Sequence, residues 1–362
     1  MPNLIKKISL QWDLWIGQFR AFFPTDKEDI RACHKVLGNE NSALKIPSQL
    51  AACQDTHSGE VIACMRLVNA LDVKKAFKKE ETSYMDFFGE ERLKEMAFFN
   101  SISIAPAYLK TSAPQILISH CFIEILKAGG QAVLMSCDPG HFSIYKRIGL
   151  RPLAALQKTS NGDLEIPMIF IPDQEYLSII HSPVLPMLRG IQFDNYKPLV
   201  QWYHQMVREN EEMPISSAFY TQEEEFGGHD NITRGLSEDG KNSFLSNAMK
   251  VICKKDEVLI TENDADKSFG YVSKGVVKVM IGNRTIVLLG EGDIFGEIAF
   301  ILGSKRTAQV VAASDDTEVV LFSESAISRL NNEADKTMIW RNLAKILAQR
   351  VILTNRLLDS SE

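Results

Sequence analysis

The 362-residue sequence predicts an α+β protein of two units: a mixed α/β unit, then an antiparallel β-roll (jelly-roll) closed by a long C-terminal helix. Three observations predict it. The first part of the chain alternates strand-like and helix-like runs, the pattern of a mixed α/β unit. After about residue 230 the runs shorten to β-like segments punctuated by Gly, Asn and Asp at spacings of roughly ten residues, as in an antiparallel roll. Between the two lies Thr221 to Asp230, a polar stretch with Glu223, Glu224, Glu225 and Gly227-Gly228 that reads as a linker. The expected boundaries are 1–200, a helical connector and acidic linker over 201–230, and 231–362.

Composition agrees with two ordinary cores. The chain is 45% hydrophobic and 24% charged, close to the average of globular folds. A net charge of −6 argues against a surface dedicated to nucleic acid, which usually carries a basic excess. The six cysteines, Cys33, Cys53, Cys64, Cys121, Cys137 and Cys253, form no CxxC pair and no cluster with histidine, so they read as free thiols without a metal. Met1 to Phe23 mixes Lys6, Lys7, Asp13 and Arg20 among apolar residues, unlike a signal peptide. With no stretch of about 18 apolar residues, a cytoplasmic protein without a membrane span is expected.

Residues 1 to about 45 read as helical, because Ile5, Leu10, Leu14 and Phe19 fall at helical spacing. Strands are expected over Val61 to Val68 and Phe98 to Ile104. A helix follows from Gln115 to Lys127, stopped by Gly129-Gly130, and Ala132 to Ser136 is the next strand. Ile191 to Tyr220 reads as an amphipathic helix around Trp202 and Met206. A single helix from Ser325 to Leu358 is expected to close the chain.

The most informative segment is Gly290-Glu-Gly-Asp-Ile-Phe-Gly-Glu-Ile-Ala299 with Lys305-Arg-Thr-Ala308 behind it. A strand ending at Leu289 runs into a turn at Gly292-Asp293, and Gly296 lets backbone come close to a ligand. Arg306 can grip a phosphate with its planar fork, and Thr307 adds a hydroxyl. Glu297 beside a phosphate makes sense only if it accepts hydrogen bonds from a sugar hydroxyl. Together these residues point to a cyclic nucleotide.

On these residues the stretch from about Asn231 to Leu358 resembles the cyclic-nucleotide-binding family of catabolite-activator-like regulators, cyclic-nucleotide-dependent kinases and gated channels. Lys254-Lys-Asp-Glu-Val-Leu-Ile260 and Tyr271-Val-Ser-Lys-Gly-Val-Val-Lys-Val279 look like its earlier strands, with Gly275 at a tight turn. Asp256 and Asn263 stand where the family has glycine, and both types tolerate left-handed turns. The resemblance implies that Glu297 binds the ribose 2′-hydroxyl and Arg306 the cyclic phosphate, with Gly296, Ile298, Ala299 and Ala308 completing the cradle. Thr307 would meet either the phosphate or a guanine amino group and does not choose between them; cyclic AMP, the commoner ligand of the resembled family, is the first expectation and cyclic GMP the second. Thr354 and Asn355 lie where the catabolite-activator branch contacts adenine.

The segment from about Gly59 to Leu153 resembles the GNAT superfamily, in particular acyl-homoserine-lactone and N-acyl amino acid synthases. The matching pieces are Val61-Ile-Ala-Cys-Met-Arg-Leu67, Ser101-Ile-Ser-Ile-Ala-Pro-Ala-Tyr108 and His141-Phe-Ser-Ile-Tyr-Lys-Arg-Ile-Gly-Leu-Arg-Pro152. The resemblance implies an acyltransferase, with Tyr145 protonating the leaving thiol and Arg66 positioning a carboxylate; a packed core tyrosine and a structural arginine are the plain alternatives. Leu109 to Gln115 has no glycine and includes Pro114, so it departs from the family's pyrophosphate loop. That departure counts against acetyl-CoA and suits acyl-ACP, with acyl-carrier protein as partner, with acyl-CoA the other candidate donor; it equally suits a non-catalytic sensor whose GNAT-like part binds an acyl group or a protein.

Along the final helix, Trp340, Ala344, Leu347, Val351, Thr354 and Leu358 form one apolar seam, and Ile339, Leu343, Ile346, Leu353 and Leu357 another. One seam can cover the roll while the other pairs with a second copy, so a homodimer is expected; the plain alternative is a single broad face packed wholly on its own domain. The sequence stops soon after this helix, and no DNA-binding domain is expected.

Overall fold

A computed structural model describes residues 4–8, 13–38, 46–77, 79–109, 111–154, 157–159, 164–180, 182–209 and 230–359. Most of the expected linker lies outside the described residues. The first unit has strands β1 (Leu14–Ile16), β2 (Phe19–Phe22), β3 (Ser48–Asp55), β4 (Val61–Asn69), β5 (Met96–Ile104), β6 (Ala132–Cys137), β7 (Leu150–Pro152), β8 (Gln157–Lys158) and β9 (Leu164–Phe170). Its helices are α1 (Lys27–Leu37), α2 (Ala70–Ala76), α3 (Lys79–Thr82), α4 (Gly89–Lys94), α5 (Ala113–Lys127), α6 (Phe142–Ile148), α7 (Gln174–Ile179) and α8 (Lys197–Glu209). The strands form one sheet in the order β1-β2-β3-β4-β5-β6-β9-β7, with β8 on β9. The β5–β6 pair is parallel and its neighbours are antiparallel.

Strand alternation gives the sheet two apolar faces. Met65, Leu67, Phe99 and Met135 pack with Ile116, Leu117, Phe122 and Ile125 of α5. On the opposite face Val68, Phe98, Leu134 and Ile169 pack with Leu71 of α2 and with Leu199, Tyr203 and Val207 of α8. The α5 sequence is apolar on nearly every side because it crosses over between parallel strands, and it stops at Gly129, whose φ is 88°.

Within the described part of residues 1–45 the helical reading holds for a 3-10 turn at Leu4–Lys7 and for α1, where Asp26 caps the backbone N–H groups of Glu28 and Asp29 at 2.9 and 2.8 Å. Leu14 to Phe22 is instead a hairpin turning at Gly17, and its second strand pairs with β3. The spacing of Leu14 and Phe19 suits either state, and pairing along the sheet edge decides it.

The second unit adds α9 (Asp230–Thr233), α10 (Glu238–Ser246), β10 (Met249–Cys253), β11 (Val258–Ile260), β12 (Ser268–Lys274), β13 (Val276–Ile281) and β14 (Arg284–Gly290). It continues with β15 (Ile294–Phe295), α11 (Glu297–Leu302), β16 (Gln309–Ala312), β17 (Thr317–Ser323), α12 (Glu324–Ser328) and α13 (Glu333–Asp359). Two antiparallel four-stranded sheets, β10-β17-β12-β15 and β11-β16-β13-β14, make a β-sandwich. Asp256 and Asn263 both adopt φ of 67°, the left-handed geometry expected where they replace glycine. The closing helix is not continuous: it breaks between Ser328 and Glu333, where buried Leu330 turns inward and Asn332 accepts from Ala334 N–H at 3.0 Å to start α13.

The two units share a continuous apolar core, with Phe142 and Tyr145 of α6 in the same cluster as Val272, Leu288, Leu289 and Phe295 of the sandwich. At this seam α6 presses on Gly290, where a Cβ would lie 2.5 Å from Ser143 Oγ and 2.7 Å from Phe142 Cδ1. Gly290→Ala is therefore expected to cost about 1–3 kcal/mol through overpacking. A urea-unfolding midpoint equal to that of the native chain would show the seam to be looser than this.

Candidate functional site

The site grows from the turn after β14. Asp293 N–H donates to Gly290 O at 2.9 Å, and Asp293 Oδ2 accepts from Gly290 N–H at 2.8 Å, which closes the turn tightly. After β15 the chain reverses at Gly296, with φ of 76°. A Cβ there would lie 2.8 Å from Arg306 Nη1 and 2.9 Å from Ile260 Cδ1, so only glycine lets the backbone and the arginine come together.

Arg306 is 2% exposed. Its Nη1 donates to Gly296 O at 2.8 Å, and its Nη2 donates to Asp266 Oδ2 at 2.5 Å and Ser268 Oγ at 3.1 Å. Burial would raise the Asp266 carboxyl, but hydrogen bonds from Ser268 and Arg306 hold it below its ordinary value. The Asn263 turn braces the same residue, since Asn263 N–H donates to Arg306 O and Arg306 N–H to Asp264 O, both at 2.9 Å.

Glu297 is 1% exposed. Its Oε1 accepts from Arg350 Nη1 of α13, and Arg350 Nη2 donates to Ile294 O. Arg350 thus ties the closing helix to both ends of the Ile294–Glu297 bend.

These groups line one cavity of about 420 Å³. Gly296, Glu297, Ile298, Ala299, Arg306, Thr307, Ala308 and Asn355, all expected from the sequence, border it. The side chain of Thr354 lies outside the described residues. Apolar walls come from Ile260, Val279, Leu289 and Val310, while Leu347 and Val351 of α13 form a lid. An apolar chamber of this size with an arginine and a carboxylate converging on it suits a small ligand carrying an anion and hydroxyls.

Arg350 and Asp266 were not legible as site residues. The one available signal for Arg350 is its position four residues before Thr354, hence on the same side of the helix. The two expected seams of α13 separate as follows: Ile339, Leu343 and Ile346 are buried in the sandwich cluster, while Trp340 and Val351 are exposed.

In the first unit the candidates do not converge. Tyr145 is buried in the α5-side cluster, whereas strand alternation puts Arg66 with Cys64 and Val68 on the other side from Met65 and Leu67. Arg66 is 5% exposed. Burial, with Cys137 and Asp138 nearby, pushes the Tyr145 hydroxyl above its ordinary value. At the end of β6, Asp138 accepts from Gly140 N–H and pairs with His141 Nδ1 at 2.5 Å. Strand β5 pairs with β6 only from Met96–Ala132 to Phe99–Met135. There a bulge at Asn100 shifts its register against β4, and Ser101–Ile104 continue beside β4 alone. The sheet therefore opens between the C-terminal ends of β5 and β6, and the chain that leaves β6 runs through residues 138–141 into α6.

Residues 250–333 match the family model of the cyclic nucleotide-binding domain, so the C-terminal part of the chain carries such a domain. A cyclic AMP receptor protein of Thermus thermophilus is 26% identical over 125 residues, 33% of this chain and 56% of that protein. A cAMP-dependent protein kinase regulatory subunit of Dictyostelium discoideum is 31% identical over 121 residues, 32% of this chain and 36% of that subunit. The match thus spans about half of the first relative and about a third of the second. The solved catabolite activator protein of Thermus thermophilus shares 25% identity at a TM-score of 0.32, covering 36% of this chain and 62% of that one. Among the described residues no helix is long and apolar enough to cross a membrane.

Proposed function

We propose that this protein is a cyclic-nucleotide-responsive regulator in which the sandwich cavity controls a GNAT-like acyltransferase unit. The observation that carries the nucleotide half is the convergence of Glu297 and Arg306 on one apolar cavity beside a glycine that no other residue can replace without collision. Arg306 would hold the cyclic phosphate, Glu297 the ribose hydroxyl, and Leu347, Val351, Thr354 and Asn355 the base. Cyclic AMP is the first ligand and cyclic GMP the second, with Thr307 the hydroxyl available to either. The exposed seam through Trp340 is the surface on which a second copy would pair.

The acyl half is supported by the opening between β5 and β6. An extended thioester arm can lie beside a strand that has lost its neighbour, adding its own amides along the edge. A tyrosine held protonated at neutral pH has a proton to give, the role needed when a thiolate leaves. The glycine-free stretch around Pro114 favours acyl-ACP over acyl-CoA as donor; it is also what favours the second reading, a sensor that binds an acyl group or partner without turnover.

The full chain, offered a panel of acyl-ACP and acyl-CoA donors with a small amine, is expected to form product from acyl-ACP in preference to acetyl-CoA, at a rate that cyclic AMP changes. Binding of a donor without product would select the sensor. Neither product nor binding with any donor would remove the acyl half altogether.

A further inference from the structure

The seam between the two units contains a buried ion pair, Lys146 of α6 with Asp293 of the β14–β15 turn, each side chain 1% exposed. The two residues are 147 positions apart, and Asp293 is three residues before Gly296 of the cavity. Asp293 Oδ2 takes both Lys146 and the Gly290 N–H, while Oδ1, equally enclosed, has no hydrogen-bond partner among the described residues. On the other side of the same turn stands Arg350, bound to Glu297 and to the carbonyl of Ile294, the residue next to Asp293. Two cations and two carboxylates thus share one enclosed bend, each cation drawn from a different element packed on it.

Burial pulls Lys146 below its ordinary value, Asp293 opposes that, and the charge of Arg350 adds to it. The two cations therefore sense each other across the turn. An enclosed carboxylate oxygen without a partner is costly, so a cation displaced from one carboxylate of this bend gains by turning to the other.

We propose that Arg350 exchanges carboxylates when the cavity is occupied: a sugar hydroxyl on Glu297 sends Arg350 to the unpartnered oxygen of Asp293, which weakens the hold of Asp293 on Lys146 and loosens α6 from the sandwich. This rests on the nucleotide reading above and adds a route by which it reaches the first unit. No covalent bond changes; one hydrogen-bond partner is traded for another. The helix that moves is the one that carries Tyr145 and follows directly on β6, one of the two strands at the opening, so occupancy of one unit alters the site of the other. Because coupling is reciprocal, whatever frees Asp293 must favour the ligand and whatever removes its charge must disfavour it.

The two residues consequently have opposite signs in one assay. Calorimetry on the full chain with cyclic AMP as probe is expected to show tighter binding in Lys146→Met and weaker binding in Asp293→Asn, each by about fivefold or more. Neither residue borders the cavity. As a measurement that needs no variant to fold, amide hydrogen exchange of the native chain is expected to speed up across 142–148 on saturation with cyclic AMP. Native chain that binds neither cyclic AMP nor cyclic GMP overturns the nucleotide reading and this proposal together. Native chain that binds, with exchange in α6 unchanged, or variants that shift affinity in the same direction or not at all, overturns the exchange of partners alone.

Discussion

Arg306→Ala is expected to weaken cyclic AMP binding by roughly 30-fold or more, the result of losing one member of a desolvated charge pair worth about 2–5 kcal/mol. The size follows from where the guanidinium sits. It is 2% exposed, and two of its nitrogens are already directed by Gly296 O, Ser268 and Asp266, so its fork is oriented before any phosphate arrives. Arg306→Lys should recover only part of the loss, since an ammonium keeps the charge but lacks the planar fork that spans Gly296 O, Asp266 and a phosphate. The fold should persist in both variants. The partner left behind, Asp266, has a side chain 56% exposed and can be solvated. Calorimetry with each cyclic nucleotide checks the outcome, and unchanged affinity for both in folded Arg306→Ala would reject the assignment of the cavity.

Asp173→Ala is expected to destabilise the first unit by about 3–5 kcal/mol, because it strands a buried arginine. Arg151 is 2% exposed and donates to Asp173 Oδ2 at 2.7 Å. Burial alone would lower the guanidinium's ordinary value, and the Asp173 carboxylate, with the Tyr176 and Tyr203 hydroxyls, holds it above. The guanidinium also lies over both tyrosine rings, 3.7 and 5.2 Å from their centroids. Asp173 further caps α7, accepting from Tyr176 N–H at 3.0 Å. Asp173→Asn keeps the cap and an acceptor, so it should cost less than alanine. Replacing both members of the pair by apolar residues of similar volume should restore much of the loss. Urea unfolding measures all three; a cost for alanine below about 1 kcal/mol would mean that Arg151 reaches water or another anion.

By itself the sequence determined what depends on neighbours along the chain. The cassette from Gly290 to Ala308 is contiguous, and a glycine, a carboxylate and an arginine at those spacings meet wherever the strand and turn form as their residues dictate. Asp256 and Asn263 were readable as left-handed turns because they stand where the resembled family has glycine, and β4, β5, α5 and β6 were readable as apolar runs set off by turn residues. Only the tertiary structure decided what depends on partners far along the chain. Leu14 to Phe22 joins a sheet rather than a helix because β3 offers it an edge. The closing helix breaks after Ser328 because Leu330 has a core to enter. Arg350 reaches Glu297 over 53 positions and Lys146 reaches Asp293 over 147, and no periodicity or spacing reports such pairs. A charged residue reads as solvent-facing in a sequence; whether it is buried against an opposite charge is settled when two units close on each other and exclude water from between them.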